Sequence, residues 1–402
     1  SGNVLPQIYN GRTRRERHEE LVEFSISGAI YQARVAHESS DNSGRVHMNV
    51  LWEMGAAERI LLGILEGAKG LVHGITCGAG MPYRLAEIAA RYGVHYYPII
   101  SSSRAFRALW KRAYHKFGEL MGAVVYEDPW LAGGHNGLSN NEDPQKPEDP
   151  FPRVLELRNL MNEFGLHDTP IIMAGGVWYL RDWESWIDNK ELGPIAFQFG
   201  TRPLLTKESP ISDAWKQKLV NLKRDDVFLN RFSPTGFWSS AVNNGFIEEL
   251  RERNERQIAY TTEKIGEHSA PFPVGARKRE VFVTDVNAER GRAWQDSGFT
   301  EALKTPDSTL IFLTPEKANL IRHDQIECMG CLSQCKFSNW AESETGSTGR
   351  KADPRSFCIQ KTLQDISHSE RLEDNHMFAG HGAHRFSTDP FYSNGFIPSV
   401  KQ

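Results

Sequence analysis

No hydrophobic run in this chain is long enough to span a bilayer, and no signal-peptide pattern is recognised. Charge of one sign is also missing. The 47 basic and 51 acidic residues are interspersed, and the formal net charge is −4. No basic stripe suggests nucleic acid as a partner, and no membrane association is expected. Internal repeats and low-complexity linkers are absent. Cysteine is scarce: Cys77 stands alone, and Cys328, Cys331, Cys335 and Cys358 gather near one end. A cytoplasmic location is expected, so that clustered set reads as metal ligation before disulfides. The 402 residues suffice for two domains or for one barrel with a large extension.

What is present is an alternation of strands and helices from about Val46 to Leu205. Strand candidates lie near Val46, Leu71, Tyr96, Val124, Ile171 and Ile195, with helical spacing between them. That order implies a parallel sheet with crossover helices. An eight-stranded barrel needs two more strands. The first 36 residues offer one poor strand candidate, Glu23–Tyr31; otherwise helical spacing runs from Arg14 towards Gln32 and reads as a solvated helix. Beyond Leu205 the character changes. Asp225–Asn244 is polar and aromatic, with Arg231-Phe-Ser-Pro-Thr-Gly-Phe237 inside it. Glu280–Thr284 and Thr309–Thr314 read as strands flanking a helix near Ala288–Trp294, a small βαβ appendage.

Three strand patterns end in small residues: Ala132-Gly-Gly-His-Asn-Gly137, Ala174-Gly-Gly-Val177 and Gln198-Phe-Gly-Thr-Arg202. Parallel α/β proteins build ligand sites at such strand ends, where glycine lets backbone approach a phosphate. Gly175, Gly176, Gly200 and Thr201 suit a phosphate group, with tight strand–helix packing as the alternative. His135 sits among these small residues, where a neutral imidazole can accept a proton or polarise an oxygen. Asn49, a polar residue in a strand candidate, either satisfies backbone or faces a ligand. The spacing C-x2-C-x3-C-x22-C lets thiolates converge on one metal or cluster, and spacing alone does not choose which.

Taken in order, the three glycine motifs resemble the nitronate monooxygenase (2-nitropropane dioxygenase-like) family, which also holds flavin-dependent enoyl reductases. The resemblance covers roughly Val46–Ser209. It implies a TIM (β/α)8 barrel with FMN at the carboxyl ends of the strands. By that likeness Asn49 contacts the flavin and Gly133 lines it. Gly175, Gly176, Gly200 and Thr201 hold its phosphate, with Gln198 nearby. His135 takes the substrate's α-proton or assists reduction. Asp128 stands in the cofactor loop where relatives often have Gln. The family's glycine-rich first strand-loop is not found here, so the first βα units are absent or rewritten, as in a truncated or processed form of a longer protein.

The four-cysteine segment resembles that of iron–sulfur flavoenzymes such as 2,4-dienoyl-CoA reductase and trimethylamine dehydrogenase relatives. The likeness implies a [4Fe–4S] cluster on Cys328, Cys331, Cys335 and Cys358, with zinc as the alternative. The whole chain is therefore expected to be an α/β FMN-binding barrel over residues 1–222 and an α+β extension over 223–402. Its expected function is FMN-dependent oxidation or reduction of a small-molecule substrate, with electrons relayed between FMN and the cluster. The expected redox partner is NAD(P)H or an electron-transfer protein, and a homo-oligomer is compatible with this. The alternatives are a nitronate monooxygenase or enoyl-thioester reductase with structural zinc, and a non-catalytic scaffold.

Overall fold

A computed structural model describes residues 9–40, 43–275, 277–367 and 370–402. Helix α1 (Arg14–Ser39) starts where the helical spacing starts. Thr13 caps it: the Thr13 hydroxyl accepts the Glu16 N–H at 3.2 Å, and the Glu16 carboxylate accepts the Thr13 N–H at 2.9 Å. The helix is not solvated all round. Leu21, Val22, Ala29 and Ala33 are buried. Ile26 lies so close over Gly63 of α2 (Ala57–Gly67) that a Cβ there would meet it at 2.6 Å. Glu23–Tyr31 is thus helix rather than strand, because one face has an apolar partner to cover.

The parallel sheet is as expected. It contains β1 (His47–Leu51), β2 (Gly74–Gly78), β3 (His95–Ile100) and β4 (Val124–Glu127). After the short β5 (Gly134–His135) it continues with β6 (Ile171–Ala174) and β7 (Ile195–Gln198). The six strands β1-β2-β3-β4-β6-β7 pair with their neighbours in sequence order, all in parallel. This is the strand order of a (β/α)8 barrel, two strands short. Helices α3 (Leu85–Tyr92), α4 (Ser103–Arg112) and α5 (Pro150–Glu163) form crossovers. The central strands are buried, and the two outer ones are not: in β1 only Val50 is buried, and in β7 no residue is. Each outer strand has a sheet neighbour on one side only among the described residues.

Beyond residue 222 the strands are antiparallel. β8 (Val227–Asn230) and β9 (Ser239–Val242) form a three-stranded sheet with β5. The later apolar strands do not make a βαβ unit. Thr309–Leu313 runs antiparallel between Gln257–Ala259 and Glu301–Lys304, whereas Arg279–Val283 pairs antiparallel with Ala270–Val274. Two apolar strands around a helix look alike in sequence whichever direction they pair, and here each also pairs with a strand before the window, Gln257–Ala259 or Ala270–Val274.

Arg158 is 1% exposed and has no carboxylate partner among the described residues. Its guanidinium instead donates to the carbonyls of Leu192, Leu166, His167, Thr169 and Pro194. These lie just before β6 and β7, so one side chain satisfies the chain's approach to both strands. Arg158→Met keeps the stem and strips the donors, leaving buried carbonyls unpaired. We expect a loss of about 3 kcal/mol in urea unfolding followed by circular dichroism. An unchanged midpoint would show that these carbonyls find other donors.

Candidate active site

A cavity of about 300 Å³ opens at the carboxyl ends of β4, β6 and β7. Of the residues singled out from the sequence, Gly133, Gly175, Gly176, Gln198, Gly200 and Thr201 line it together. Gly175 and Gly176 have φ of +90° and +74°, in the left-handed region that favours glycine. A Cβ on Gly175 would meet the Ala132 backbone nitrogen at 3.0 Å, so this glycine serves the packing of two turns. Gly200 differs: a Cβ there would meet nothing within 4 Å. Its lack of a side chain leaves open space at the strand end, as close approach of a ligand requires. The cavity lies at the lower end of the roughly 300–1,000 Å³ usual for small-molecule sites.

The opposite wall comes from the end of the chain. Phe378, Ala379 and Gly380 line the cavity. The Gly380 N–H donates to the Thr201 hydroxyl at 2.9 Å, and the His381 N–H donates to the Leu131 carbonyl at 3.2 Å. A Cβ on Gly133 would sit 2.6 Å from the Gly380 nitrogen. Sequence reasoning missed this segment; its small residues, Ala379-Gly-His-Gly-Ala383, were the available signal.

Asn49, Asp128 and His135 are not among the lining residues. Asn49 is exposed on β1. Asp128 is fully buried and shapes the turn, its carboxylate accepting the N–H groups of Trp130 at 2.9 Å and Leu131 at 2.8 Å. His135 Nε2 lies 2.6 Å from the Ser233 hydroxyl, and its ring packs on Phe378 with centroids 5.4 Å apart. Burial pulls the imidazole down to about 4, so it is neutral at pH 7 and able to accept a proton. Next to Phe378 stands His376, 1% exposed, and neither of its ring nitrogens has a hydrogen-bond partner among the described residues. Burial, and then the His135 imidazole, pull it down to about 3.

Glu127 was also missed. It closes β4 and lines the cavity. Burial, reinforced by the Asp128 carboxyl, pushes its carboxyl up to about 8.

Cys328, Cys331, Cys335 and Cys358 line one small void. The Cys328 sulfur accepts the Ser338 hydroxyl at 3.0 Å and the Gly330 N–H at 3.4 Å. Burial, then the neighbouring thiols, push the Cys331 thiol well up. The four sulfurs thus share a pocket, as the spacing suggested. Among the described residues, however, no group of three or more His, Cys, Asp or Glu is arranged to hold a metal ion. Cys77 is a fully buried thiol in β2, pushed up to about 12 by burial.

The sequence profile of the nitronate monooxygenase family matches residues 34–309. The chain belongs to the nitronate monooxygenase family. A probable nitronate monooxygenase of Staphylococcus aureus is 27% identical over 121 residues, 30% of this chain. The match spans about a third of that relative, 32% of its length. Among solved structures, FabK from Thermotoga maritima is similar at 18% identity, covering 62% of this chain and 73% of that one, with a TM-score of 0.44. A nitroalkane oxidase from Streptomyces ansochromogenes is similar at 18% identity over 61% of each chain, with a TM-score of 0.38. The resemblance read from the three glycine turns is borne out at the level of the family, one of oxidoreductases. An iron–sulfur centre finds no support in these likenesses. No described helix is long and apolar enough to cross a membrane.

The Glu127 carboxyl gives this family member a pH signature. The folded chain holds that proton up to about pH 8, whereas an unfolded chain releases it near 4.5. Its contribution to stability is therefore largest at low pH and falls as pH rises from 4.5 to 8. Glu127→Gln removes that slope. The variant's melting temperature should gain steadily on the wild type's between pH 5 and pH 8, and parallel curves would refute a protonated Glu127.

Proposed function

We propose that this chain is an FMN-dependent oxidoreductase acting on a nitronate or an enoyl thioester, with the flavin in the glycine-lined cavity. The observation that carries this is the convergence of three separate strand-end turns on one cavity. Gly175, Gly176, Gly200 and Thr201 would hold the phosphate, with Gly133 and Gln198 beside the flavin. Asp128 builds the turn that carries Gly133 and acts by positioning. Asn49 is exposed on the outer edge strand and does not line the cavity, so it has no assigned role here. Bound FMN would supply two-electron oxidation or reduction of the substrate.

His135 is the residue we assign to proton transfer. It is neutral, joined to the cavity by Gly134 and Phe378, and hydrogen-bonded to Ser233. A neutral imidazole takes a proton from a carbon acid, and its hydrogen-bonded hydroxyl fixes the ring. NAD(P)H or an electron-transfer protein would be the redox partner of the reductase form. We extend the proposal to a [4Fe–4S] cluster held by Cys328, Cys331, Cys335 and Cys358, which would exchange single electrons with the flavin. Four thiols around one void, with donors aimed at Cys328, support that extension.

Anaerobically purified protein should show flavin bands over a broad absorption near 400 nm that bleaches with dithionite, and about four iron and four sulfide per chain. Zinc without iron would make the thiols a structural clip and end the relay. Colourless protein would make the barrel a scaffold. In flavin-loaded protein, His135→Ala should cut turnover of a nitronate or enoyl thioester by about 10²–10⁴ while the flavin stays bound. Unchanged turnover would remove His135 from the reaction.

A further inference from the structure

His135 is joined to a second cavity as well as standing behind the wall of the glycine cavity. Its Nε2 touches the Ser233 hydroxyl, which lies 3.1 Å from the Thr235 hydroxyl. Thr235 lines a second cavity of about 450 Å³. The three groups form a chain in which either direction of donation is open, because each hydroxyl both gives and accepts.

The second cavity is cationic. Lys336, Arg350 and Lys351 line it, and none of them forms an ion pair among the described residues. Two carboxylates also line it. Asp353 pairs with Arg355 at 2.8 Å, a guanidinium it shares with Asp307, and Glu53 accepts the Ser333 hydroxyl at 3.0 Å, against three cations. Cations therefore remain in excess. Phe237 stands at the cavity with 54% of its surface exposed, an open aromatic face. The walls are tied together. The Gly236 N–H donates to the Ser233 carbonyl at 2.9 Å, closing the turn that carries Thr235. The Lys336 N–H donates to the Pro234 carbonyl at 3.1 Å, and the Asp353 N–H donates to the Lys336 carbonyl at 2.9 Å. The turn and both basic segments thus hold one another in place before any ligand arrives. Unpaired cations on a hydrogen-bonded frame, beside an exposed ring, suit a phosphate attached to a planar or extended organic group.

We propose that this cavity binds the phosphate-bearing end of an anionic organic ligand, and that Thr235 and Ser233 couple its occupancy to His135. The anion site stands on its own; its consequence for turnover rests on the assignment of His135 to proton transfer. A nicotinamide dinucleotide and a phosphopantetheine thioester share this chemistry.

The full chain as purified is titrated with inorganic pyrophosphate by calorimetry, beside Lys336→Gln/Arg350→Gln/Lys351→Gln. Binding should weaken at least about tenfold in the triple variant. Equal binding, or none to the wild type, overturns the site. Any pyrophosphate held by the glycine cavity persists in the variant and is counted separately. NADPH and coenzyme A are then titrated alone: tighter NADPH assigns the dinucleotide, tighter coenzyme A the thioester, and failure of both overturns the organic-phosphate assignment. The coupling is read from the His135 ring resonances in labelled protein. They should move on pyrophosphate addition in the wild type and stay still in Thr235→Val; an identical shift in both overturns the coupling. Flavin content of the same samples is read from the spectrum. Colourless protein that binds pyrophosphate would refute the flavin proposal alone, and yellow protein that does not would refute this one alone.

Discussion

The close passage of two backbones, at Gly133 and Gly380, is the constraint on which the rest of the candidate site depends. A Cβ on Gly133 would lie 2.6 Å from the Gly380 nitrogen, and one on Gly380 would lie 2.9 Å from the Leu131 carbonyl oxygen. No side chain fits on either side of that contact. The end of the chain can therefore lie flat against the turn that follows β4. Once there, its N–H groups satisfy the Thr201 hydroxyl and the Leu131 carbonyl. The same docking brings Phe378 to the cavity wall and against the His135 ring. Further along, Asp389 accepts the Trp178 indole N–H at 2.9 Å and lies 3.7 Å from Arg202, fastening the tail to the turns after β6 and β7. Three strand ends and one tail are thus one packed unit.

Much of this unit was legible in the sequence. The parallel strands showed as short apolar runs, three of them leading to glycine-rich turns, and each appears within a few residues of its expected place. Their glycine ends meet because sequence-adjacent strands are spatial neighbours in this topology. What the sequence hid is what depends on long-range pairing. Nothing local ties Ser233 to His135, or Gly380 to Thr201, across separations of 98 and 179 residues. Glu127 is unremarkable in sequence, and only its burial beside Asp128 makes it a weak acid. His135 was expected in the cavity because glycine surrounds it. The antiparallel pairing of Gly134–His135 with Ser239–Ser240 draws its ring to Ser233 instead. The four cysteines line one void, but spacing alone could not fix how closely the sulfurs approach, and among the described residues no group is arranged to hold a metal ion.

These long-range pairings explain why the segment beyond residue 222 is more than an appendage. It contributes the strand that pairs with His135, the hydroxyl that touches it, the ring that packs on it and one wall of the cavity. It also encloses His376 among Phe246, Phe357 and Phe378. Phe357 precedes Cys358, and Phe378 lines the glycine cavity. Aromatic rings thus stand between the thiols and the strand ends, and His135 and His376 both stay neutral through the physiological range. In so apolar a setting a positive imidazolium is costly, so under the proposed reaction a proton passed to His135 would have to leave quickly or be offset by a new negative charge. The Ser233–Thr235 hydroxyls would offer a route out, and an anion held at their far end would provide the offset.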